Sequence, residues 1–353
     1  MIDFNLKLTA RSFPKWMVLR ALSLLFSFLV RLRLLLYKLG ILKSFSAEKP
    51  VISVGNITMG GTGKTPMTDW LLHHYQERNI TPAVLTRGYG AKRTEKIQVL
   101  DTSTASKGSH SNFGDEPWLL HQHHPNLQFY VSSDRVGASL IAEKKADLLI
   151  LDDGMQHIRL RRNLNLVLID CVSGFGNGHL FPLGPLREPI QNLKRADAII
   201  FTRSNLSSSQ HLKDQIRGFI PENLPLFDSI YSPSELVNST DKQSISPSSL
   251  DMKDCLLFSG IGNPAAFEKT VHGLGCNILS HFVFSDHQEY NEHLIDDLKG
   301  NLERAQQCYA ICTEKDWVKL EQFVDVLPTF WVLKMKVEIE EGFEDFLSSF
   351  SGL

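Results

Sequence analysis

The stretch that most constrains the fold of this chain runs from Val51 to Pro66 and reads VISVGNITMGGTGKTP. An apolar run, a glycine-rich turn and Gly63-Lys64-Thr65 follow one another, which is the order of a strand, a phosphate-binding loop and a helix start. In such a loop the backbone N–H groups approach phosphate oxygens, the lysine reaches the β- and γ-phosphates, and the threonine hydroxyl can bind Mg²⁺. The residues predicted to contact a nucleoside triphosphate are Thr58, Gly60, Gly61, Thr62, Gly63, Lys64 and Thr65.

The loop is a variant of the usual pattern. The position five residues before Gly63, where a glycine is usual, holds Thr58, and other glycines supply the flexibility. The alternative is a glycine turn that carries a lysine and a threonine without binding phosphate. The apolar run before the loop and the predicted helix over Thr68 to Arg78 favour the phosphate-binding interpretation, because the motif requires that context.

Length and composition bound the remaining choices. The chain has 353 residues, 42% of them hydrophobic and 22% charged, which is typical of a folded protein of two domains. A net charge of −2 gives no general case for nucleic-acid binding. The five cysteines are scattered and odd in number, which favours reduced thiols in a cytosolic protein.

The N-terminal segment, residues 1–45, carries a strongly apolar stretch from Trp16 to Leu39. Its longest uncharged run is too short to span a membrane, because a spanning helix needs about 20 apolar residues. On a helix the polar side chains other than Arg33 fall on one narrow stripe, while Leu, Phe, Val, Trp and Tyr cover the other faces. These polar residues are Arg20, Ser23, Ser27, Arg31 and Lys38. The pattern predicts an amphipathic helix in the plane of an anionic membrane surface; the alternative is a helix buried against the domain or a dimer partner.

Beyond this helix, apolar strand-like runs alternate with helical patterns, which predicts a doubly wound, mostly parallel sheet of the P-loop NTPase type. We predict this core over residues 46–235 and a smaller C-terminal α/β domain over residues 236–353 that closes over the active site. Two stretches are expected to be loops because they are rich in Ser, Thr, Gly or Ser-Pro pairs. They are Asp101 to Asn112, expected to be mobile, and Ser204 to Asp251.

A second chemical signal is Asp147-Leu-Leu-Ile-Leu-Asp-Asp153, an apolar strand that ends in acid. In a parallel sheet such an ending places a carboxylate at the same edge as the phosphate-binding loop, where it can hold Mg²⁺ directly or through water. Asp152 and Asp153 alternate across a strand, so the sequence leaves open which of them faces the metal.

Two carboxylates precede a predicted helix in Gly114-Asp-Glu-Pro117. Asp115 and Glu116 could cap that helix, or one of them could be a general base that takes a proton from an acceptor hydroxyl. The spacing favours neither interpretation. Ser285-Asp-His-Gln288 places His287 beside an acid, where it could orient Asp115 if the second domain closes. Gln156 and His157 could contact substrate or simply cap a turn.

Taken together, these segments closely resemble the tetraacyldisaccharide 4′-kinase family, the lipid A 4′-kinases. Further motifs of the resemblance run in order over nearly the whole chain. They are Thr86-Arg-Gly-Tyr-Gly90, Asp134-Arg135, Leu151-Asp-Asp-Gly-Met-Gln-His157, Pro182-Leu-Gly-Pro-Leu-Arg-Glu-Pro189, Phe284-Ser-Asp-His287 and Thr313-Glu-Lys-Asp316. The resemblance implies transfer of the γ-phosphate of ATP, with Mg²⁺, to the 4′-hydroxyl of tetraacyldisaccharide 1-phosphate, which gives lipid IVA. It also implies a place at the cytoplasmic face of the bacterial inner membrane, and we expect the chain to be a monomer.

By the same resemblance Asp115 is the expected base and His287 its partner, while Lys64 and Thr65 contact phosphate and Mg²⁺ beside Asp152 and Asp153. Other residues fall in motifs that line the site of the family. They are Tyr89, Glu116, Arg135, Gln156, His157 and Glu188. Met155 and Gln288 depart from the family pattern, in which an aromatic residue is expected at the first position and a histidine or aromatic at the second.

Two other classes of protein compete with the kinase. A membrane-associated ATPase of the partitioning type would carry a lysine directly before Gly-Gly-x-Gly-Lys-Thr, but that position is Met59. A nucleotide-gated membrane scaffold without catalysis would not need Asp115 or His287.

Overall fold

The computed structural model describes residues 13–92, 95–106, 109–286, 288–304 and 308–350. Its strands are β1 (Val51–Asn56), β2 (Pro82–Thr86), β3 (Gln98–Leu100), β4 (Gln128–Val131), β5 (Leu148–Asp152), β6 (Leu164–Asp170), β7 (Ala198–Thr202), β8 (Leu226–Asn238), β9 (Ser244–Ile245), β10 (Asp254–Ser259), β11 (Asn277–Val283), β12 (Tyr309–Thr313) and β13 (Trp331–Ile339). Its α-helices are α1 (Phe13–Lys38), α2 (Lys64–Glu77), α3 (Thr102–Ala105), α4 (His110–Phe113), α5 (Asp115–His123), α6 (Arg135–Ala142), α7 (Gln210–Ile216), α8 (Pro264–His272), α9 (Glu292–Arg304), α10 (Glu314–Leu320) and α11 (Phe343–Ser349).

The chain divides into two compact units, each assembled from separate stretches of sequence. The first unit takes the described residues of Met1–Arg87, Leu127–Ile230 and Ile339–Leu353, and the second takes those of Gly88–Asn126 and Tyr231–Glu338. The segment around Asp115 therefore groups with the C-terminal half of the chain. The domain boundaries proposed from composition, and closure of the second domain, stay predictions.

The sheet of the first unit has the order β8–β7–β6–β1–β5–β2–β4, and its neighbouring strands are parallel. Strands β5, β6 and β7 are buried along their whole length, as expected for parallel strands covered on both faces. The predicted doubly wound parallel sheet is confirmed. Val54 of β1 lies opposite Asp152 of β5, so the phosphate-binding loop and the acidic strand end meet at one edge of this sheet.

The second unit has its own parallel strands in the order β11–β10–β12–β13, with two buried apolar clusters against them. The prediction of a loop-rich stretch from Ser204 to Asp251 is wrong in part, because β8, with 13 residues, lies within it. The Ser232-Pro233 pair and the other polar residues of β8 hide this strand in the sequence, since its apolar residues come only in short pairs such as Ile230-Tyr231 and Leu236-Val237. The loop expected from Asp101 to Asn112 likewise contains α3 and α4, each with a capping box at its start.

The N-terminal helix is confirmed as α1, but its polar stripe does not form one exposed edge. Ser23 is buried and donates a hydrogen bond to the carbonyl of Leu180 at 2.8 Å, while Phe26 packs edge-on against Phe181. The small hydroxyl tolerates this close packing, whereas Arg20, Arg31 and Lys38 stay exposed because long cationic side chains reach water.

Large apolar side chains cover the outer face of α1. They include Met17, Val18, Leu22, Leu24, Leu25, Phe28, Leu29, Leu32 and Leu35. A contiguous exposed apolar face of this kind marks an interaction surface rather than an ordinary soluble exterior. In the described part of the chain no helix has both the length and the apolarity to cross a membrane.

Candidate active site

The phosphate-binding loop connects β1 to α2 in the first unit. Gly63 adopts φ +85° directly before the first residue of α2, a conformation that glycine takes without strain. The side-chain amide of Asn56 donates to the Thr62 hydroxyl at 2.7 Å, and the N–H of Met59 donates to the carbonyl of Pro185 at 2.7 Å. The loop is thus fixed at both ends, with the N-terminus of α2 behind it as an anion-binding position.

The end of β7 holds the loop from behind. The Thr202 hydroxyl donates to the carbonyl of Thr62 at 3.0 Å, and Arg203 Nη1 donates to the carbonyl of Gly61 at 3.0 Å. The same guanidinium atom lies 2.7 Å from Oδ1 of the fully buried Asp170. Arg203 has φ +58°, which is strained for a residue with a Cβ. These contacts turn the carbonyls of Gly61 and Thr62 toward Arg203 and Thr202, away from the position expected for an anion.

The acidic end of β5 lies at the same sheet edge. Asp153 accepts from Arg187 Nη1 with both oxygens at 2.9 Å, and its Oδ1 is 3.6 Å from Lys64 Nζ. Burial raises the pKa of this carboxyl, but the charges of Lys64 and Arg187 outweigh it and lower the pKa to about 2. Asp152 is 5% exposed, and its Oδ2 accepts from the Thr86 hydroxyl at 3.1 Å. The structure thus brings Lys64 and Asp153 together, with Asp152 adjacent at the end of β5.

Three predicted substrate residues lie around this edge. Arg135 is buried and donates through Nη2 to the backbone carbonyl of Asp152 at 3.4 Å, and Gln156 donates to the carbonyl of Asn56 at 2.8 Å. Burial lowers the pKa of His157 to about 4, reinforced by the positive charges of Arg135, Arg162, Arg33 and Arg159. His157 is therefore neutral at physiological pH and stands in a strongly cationic surrounding, which suits a phosphate or another anion.

Glu188 is placed differently from the other predicted substrate residues. It is 3% exposed, forms an ion pair with Arg195 and accepts from the Asn192 side chain at 2.7 Å. These contacts fix the turn after Arg187, so in this structure Glu188 supports the residue that binds Asp153. Met155 is fully buried where the family pattern leads one to expect an aromatic residue, and its sulfur lies 3.5 Å from the amide nitrogen of Asn165.

The second unit carries the other predicted acids. Gly114, with φ +94°, is the N-cap of α5, and a Cβ there would lie 3.1 Å from the carbonyl oxygen of Tyr89. The positive φ favours glycine, and the tight contact places the backbone of Tyr89 against the residue that precedes Asp115. The Tyr89 side chain itself is 66% exposed, as a substrate-binding residue can be.

Helix α10 brings two lysines to the first turn of α5. Lys319 Nζ is 3.2 Å from Oδ2 of Asp115, and the two side chains are 4% and 13% exposed. Lys315 Nζ is 3.2 Å from Oε1 of Glu116 and 3.5 Å from Oδ1 of Asp286. Burial lowers the pKa of Lys315, but the neighbouring carboxylates outweigh it and raise the pKa.

The start of α10 is fixed by a buried carboxylate. Asp316 accepts from the Thr313 hydroxyl at 2.6 Å, from the N–H of Gly260 at 2.8 Å and from the Tyr290 hydroxyl at 3.3 Å. Burial raises the pKa of Asp316 despite these donors. The Thr313-Glu-Lys-Asp316 motif thus orients the helix that presents Lys315 and Lys319.

His287, the predicted partner of Asp115, lies outside the described residues. Sequence reasoning missed Arg203, Asp170 and Lys319. The signal for Lys319 is its spacing of four residues from Lys315, which places both on one helix face. Asp170 and Arg203 each follow an apolar strand, so their common sheet edge was predictable, but their pairing was not.

In the described residues no cluster of three or more His, Cys, Asp or Glu side chains could hold a metal by itself. The donors present, a threonine hydroxyl and a strand-end carboxylate, instead fit a Mg²⁺ that a nucleotide brings with it, since this ion keeps waters and phosphate oxygens as ligands.

A parallel sheet, a phosphate-binding loop with its lysine, and carboxylates at the neighbouring strand end define a P-loop phosphotransferase. The sequence model of the tetraacyldisaccharide-1-P 4′-kinases, LpxK, matches residues 15–351. The chain belongs to this family, which confirms the family inferred from the motifs and disfavours the partitioning ATPase.

Similar proteins agree with this assignment. A tetraacyldisaccharide 4′-kinase of Syntrophus aciditrophicus is 34% identical over 94% of this chain and 92% of its own length. One from Vibrio campbellii is 34% identical over 93% and 89%. A crystal structure described as the apo form of LpxK from Aquifex aeolicus in complex with ATP matches with a TM-score of 0.73 and 29% identity. It covers 95% of this chain and 98% of that one.

The contacts of Arg203 with the phosphate-binding loop and with Asp170 lead to a first prediction. Arg203→Met is expected to weaken ATP binding about tenfold, equivalent to about 1.4 kcal/mol, because the Gly61 carbonyl loses its donor and Asp170 its cation. Isothermal titration with ATP measures the change. Arg217→Met, at an arginine that is 80% exposed and paired on the surface, is the control and should bind ATP normally. Unchanged affinity in Arg203→Met would show that the loop holds its shape without this residue.

A second prediction concerns the stability of the protein at acidic pH. The pKa of His157 is about 4 in the folded state, whereas 6.5 is the ordinary value that applies in the unfolded state. The unfolded state therefore binds more protons than the folded state between pH 4 and pH 6.5. The free energy of unfolding should therefore fall as pH drops from 6.5 to 4. In His157→Gln this fall should be smaller, as urea titrations at several pH values would measure. His74, His110 and His121 also have lowered pKa values, mainly from burial, and remain in both proteins. Parallel curves for the two proteins would contradict the prediction.

Proposed function

We propose that this chain transfers the γ-phosphate of ATP to the 4′-hydroxyl of tetraacyldisaccharide 1-phosphate and so forms lipid IVA. The observation that carries this proposal is the phosphate-binding loop with Lys64, which faces Asp153 and Arg187 at the acidic end of β5. Phosphoryl transfer depends mainly on alignment and charge neutralisation, and this edge concentrates fixed cations and backbone donors for both.

In the proposed reaction the first unit binds the nucleotide. The amides of the loop and Lys64 hold the phosphates, and Thr65 with Asp152 would hold Mg²⁺, which supplies charge neutralisation on the phosphates when bound. We favour Asp152 over Asp153 for this contact, because both oxygens of Asp153 already accept from Arg187. Asp153 then keeps Lys64 and Arg187 oriented toward the nucleotide.

The second unit supplies the base in this proposal. The carboxylate of Asp115 takes the proton of the 4′-hydroxyl, the freed oxygen forms a bond to the γ-phosphorus, and the bond to the β-phosphate oxygen breaks to release ADP. His287 is proposed as the partner that orients Asp115. Tyr89, Glu116, Arg135, Gln156 and His157 are proposed to contact the glycolipid. For Glu188 we propose an indirect role through Arg195 and the turn after Arg187.

The outer face of α1 supports a place at the membrane. Its exposed apolar residues bury favourably among lipid chains, while Arg20, Arg31 and Lys38 remain exposed for anionic headgroups. We propose that the chain binds the cytoplasmic face of the inner membrane as a monomer through this helix. The acyl chains of the substrate then stay in the membrane while its sugar headgroup is phosphorylated.

The test is to incubate the purified chain with γ-labelled ATP, Mg²⁺ and tetraacyldisaccharide 1-phosphate in detergent, and to follow the label. Label at the sugar 4′-position is the expected result. Hydrolysis of ATP at the same rate with and without the lipid, and no labelled lipid, would overturn the proposal and favour an ATPase switch. Binding of ATP without either reaction would favour a scaffold. Flotation of the chain with anionic vesicles, compared with Phe28→Asp, tests the membrane contact.

A further inference from the structure

Lys319 is a buried lysine in the second unit that the proposed reaction does not yet use. Its side chain is 4% exposed, and its Nζ lies 3.2 Å from Oδ2 of Asp115. Among the described residues, Lys319 Nζ makes no aligned hydrogen bond, so the contact is a charge contact. A buried lysine is a costly way to pack α10 on α5, because an apolar side chain would fill the same space without the loss of hydration.

The position of Lys319 is fixed by the start of α10. Thr313 caps the helix, and the buried carboxylate of Asp316 joins it to Gly260 and Tyr290. Lys315 lies one turn before Lys319 and pairs with Glu116. The two neighbouring acids of α5 thus pair with two lysines that lie one helical turn apart. Asp115 pairs with the deeply buried Lys319, and Glu116 pairs with the more accessible Lys315.

Other titratable groups besides Lys319 also interact electrostatically with Asp115. His110 of α4 faces it, and burial lowers the pKa of that histidine. Tyr290 interacts with it from the segment before α9, and Lys315 does so from α10. Glu116 adjoins it on α5, and Asp286 pairs with the same Lys315. Lys319 is in direct contact with the Asp115 carboxylate and is almost fully shielded from solvent, so water screens its charge only weakly.

We propose that Lys319 is a positioning residue for phosphoryl transfer, which holds the Asp115 carboxylate ionised and fixed through Oδ2. This inference rests on the proposed function and adds to it the residue that sets the working protonation state of the base. A carboxylate in a site shielded from water tends to take up a proton, which would disable it as a base. An opposite charge 3.2 Å away counters that tendency. The same charge contact restrains the carboxylate.

The test is the pH dependence of kcat in Lys319→Met, Lys319→Arg and the wild-type chain, with saturating ATP and glycolipid. In Lys319→Met the acid limb should move to higher pH by about one to three units, because a neighbouring opposite charge shifts a carboxyl by that amount. Lys319→Arg keeps the charge, so its acid limb should stay at the wild-type position even if its kcat is lower. The dissociation constant for ATP should be unchanged in both. Lys336→Met removes a lysine from a surface pair with Glu338 and is the matched control, expected to show the wild-type profile.

An acid limb that stays in place in a folded, ATP-binding Lys319→Met protein would overturn the inference, since a structural lysine lowers kcat without moving the limb. If Lys319→Met does not fold, the pH dependence of kcat is measured in Lys319→Gln instead. Failure of both neutral variants to fold would assign Lys319 to the framework and would also overturn the inference. A wild-type chain that phosphorylates no lipid would instead contradict the proposed function, so the two failures are distinct.

Discussion

Asp115→Asn is expected to lower kcat about 10²–10⁴-fold, the usual effect of removing a general base. The amide keeps the shape of the side chain at the first turn of α5 but cannot accept the proton of the 4′-hydroxyl. ATP binding should be retained, because the phosphate-binding loop belongs to the first unit of the chain. Lipid phosphorylation and ATP titration on the same preparation measure the two effects.

The variant also leaves the Lys319 ammonium in a buried position without its carboxylate, so some loss of stability accompanies it. Thermal unfolding separates this loss from the catalytic effect. Asp345→Asn is the control, because it removes an exposed carboxylate from the first turn of α11 and should leave kcat unchanged. A folded Asp115→Asn protein with near-normal turnover would refute Asp115 as the base.

Lys64→Met is expected to lower kcat about 10²–10³-fold, the effect of removing one preorganised group that stabilises charge in a transition state. Lys64 is the first residue of α2, and its side chain is only 15% exposed, facing Asp153. Its charge therefore lies at the helix N-terminus, where the phosphates of a nucleotide are expected to bind. The lysine also counters the carboxylate of Asp153, so Arg187 alone would hold that acid in the variant.

Steady-state kinetics with varied ATP distinguish a loss of turnover from a loss of affinity. Lys49→Met is the matched control, because Lys49 precedes the other end of β1 and pairs loosely with Asp147 at 3.9 Å. That variant should behave as the wild type. Lys64→Arg should recover part of the rate, since it keeps the charge but not the compact ammonium group. Equal turnover in Lys64→Met and wild type would exclude the loop from catalysis.

Local patterns were sufficient for the nucleotide-binding half of the fold. The apolar runs that became β1 and β5 needed no knowledge of distant residues, because a buried parallel strand is apolar along its whole length. The glycines, Lys64 and Thr65 follow β1 directly, and Asp152 ends β5. The sheet alone then brings them together, since parallel neighbours share an edge. The family followed from the order of such motifs along the chain.

Patterns of alternating polarity were less informative. The sequence of β8 predicts a loop because its polar and apolar residues are mixed, and such a strand is recognised only by what packs against it. On α1 the sequence shows a polar stripe but does not distinguish its buried polar residues from its exposed ones. Only the packing of Ser23 against Leu180 showed that serine turns inward while the arginines and the apolar face remain outside.

The sequence by itself determined the phosphate-binding loop, the acidic strand end, the parallel sheet and the family, since each depends on residues close together in the chain. The tertiary structure decided which distant charges meet. Lys319 reaches Asp115 across 204 positions of sequence, and Arg203 reaches Gly61 across 142, through helix and strand packing that no local spacing encodes. A buried charge is stable only beside a partner, and in a folded chain that partner is supplied by the packing of distant elements.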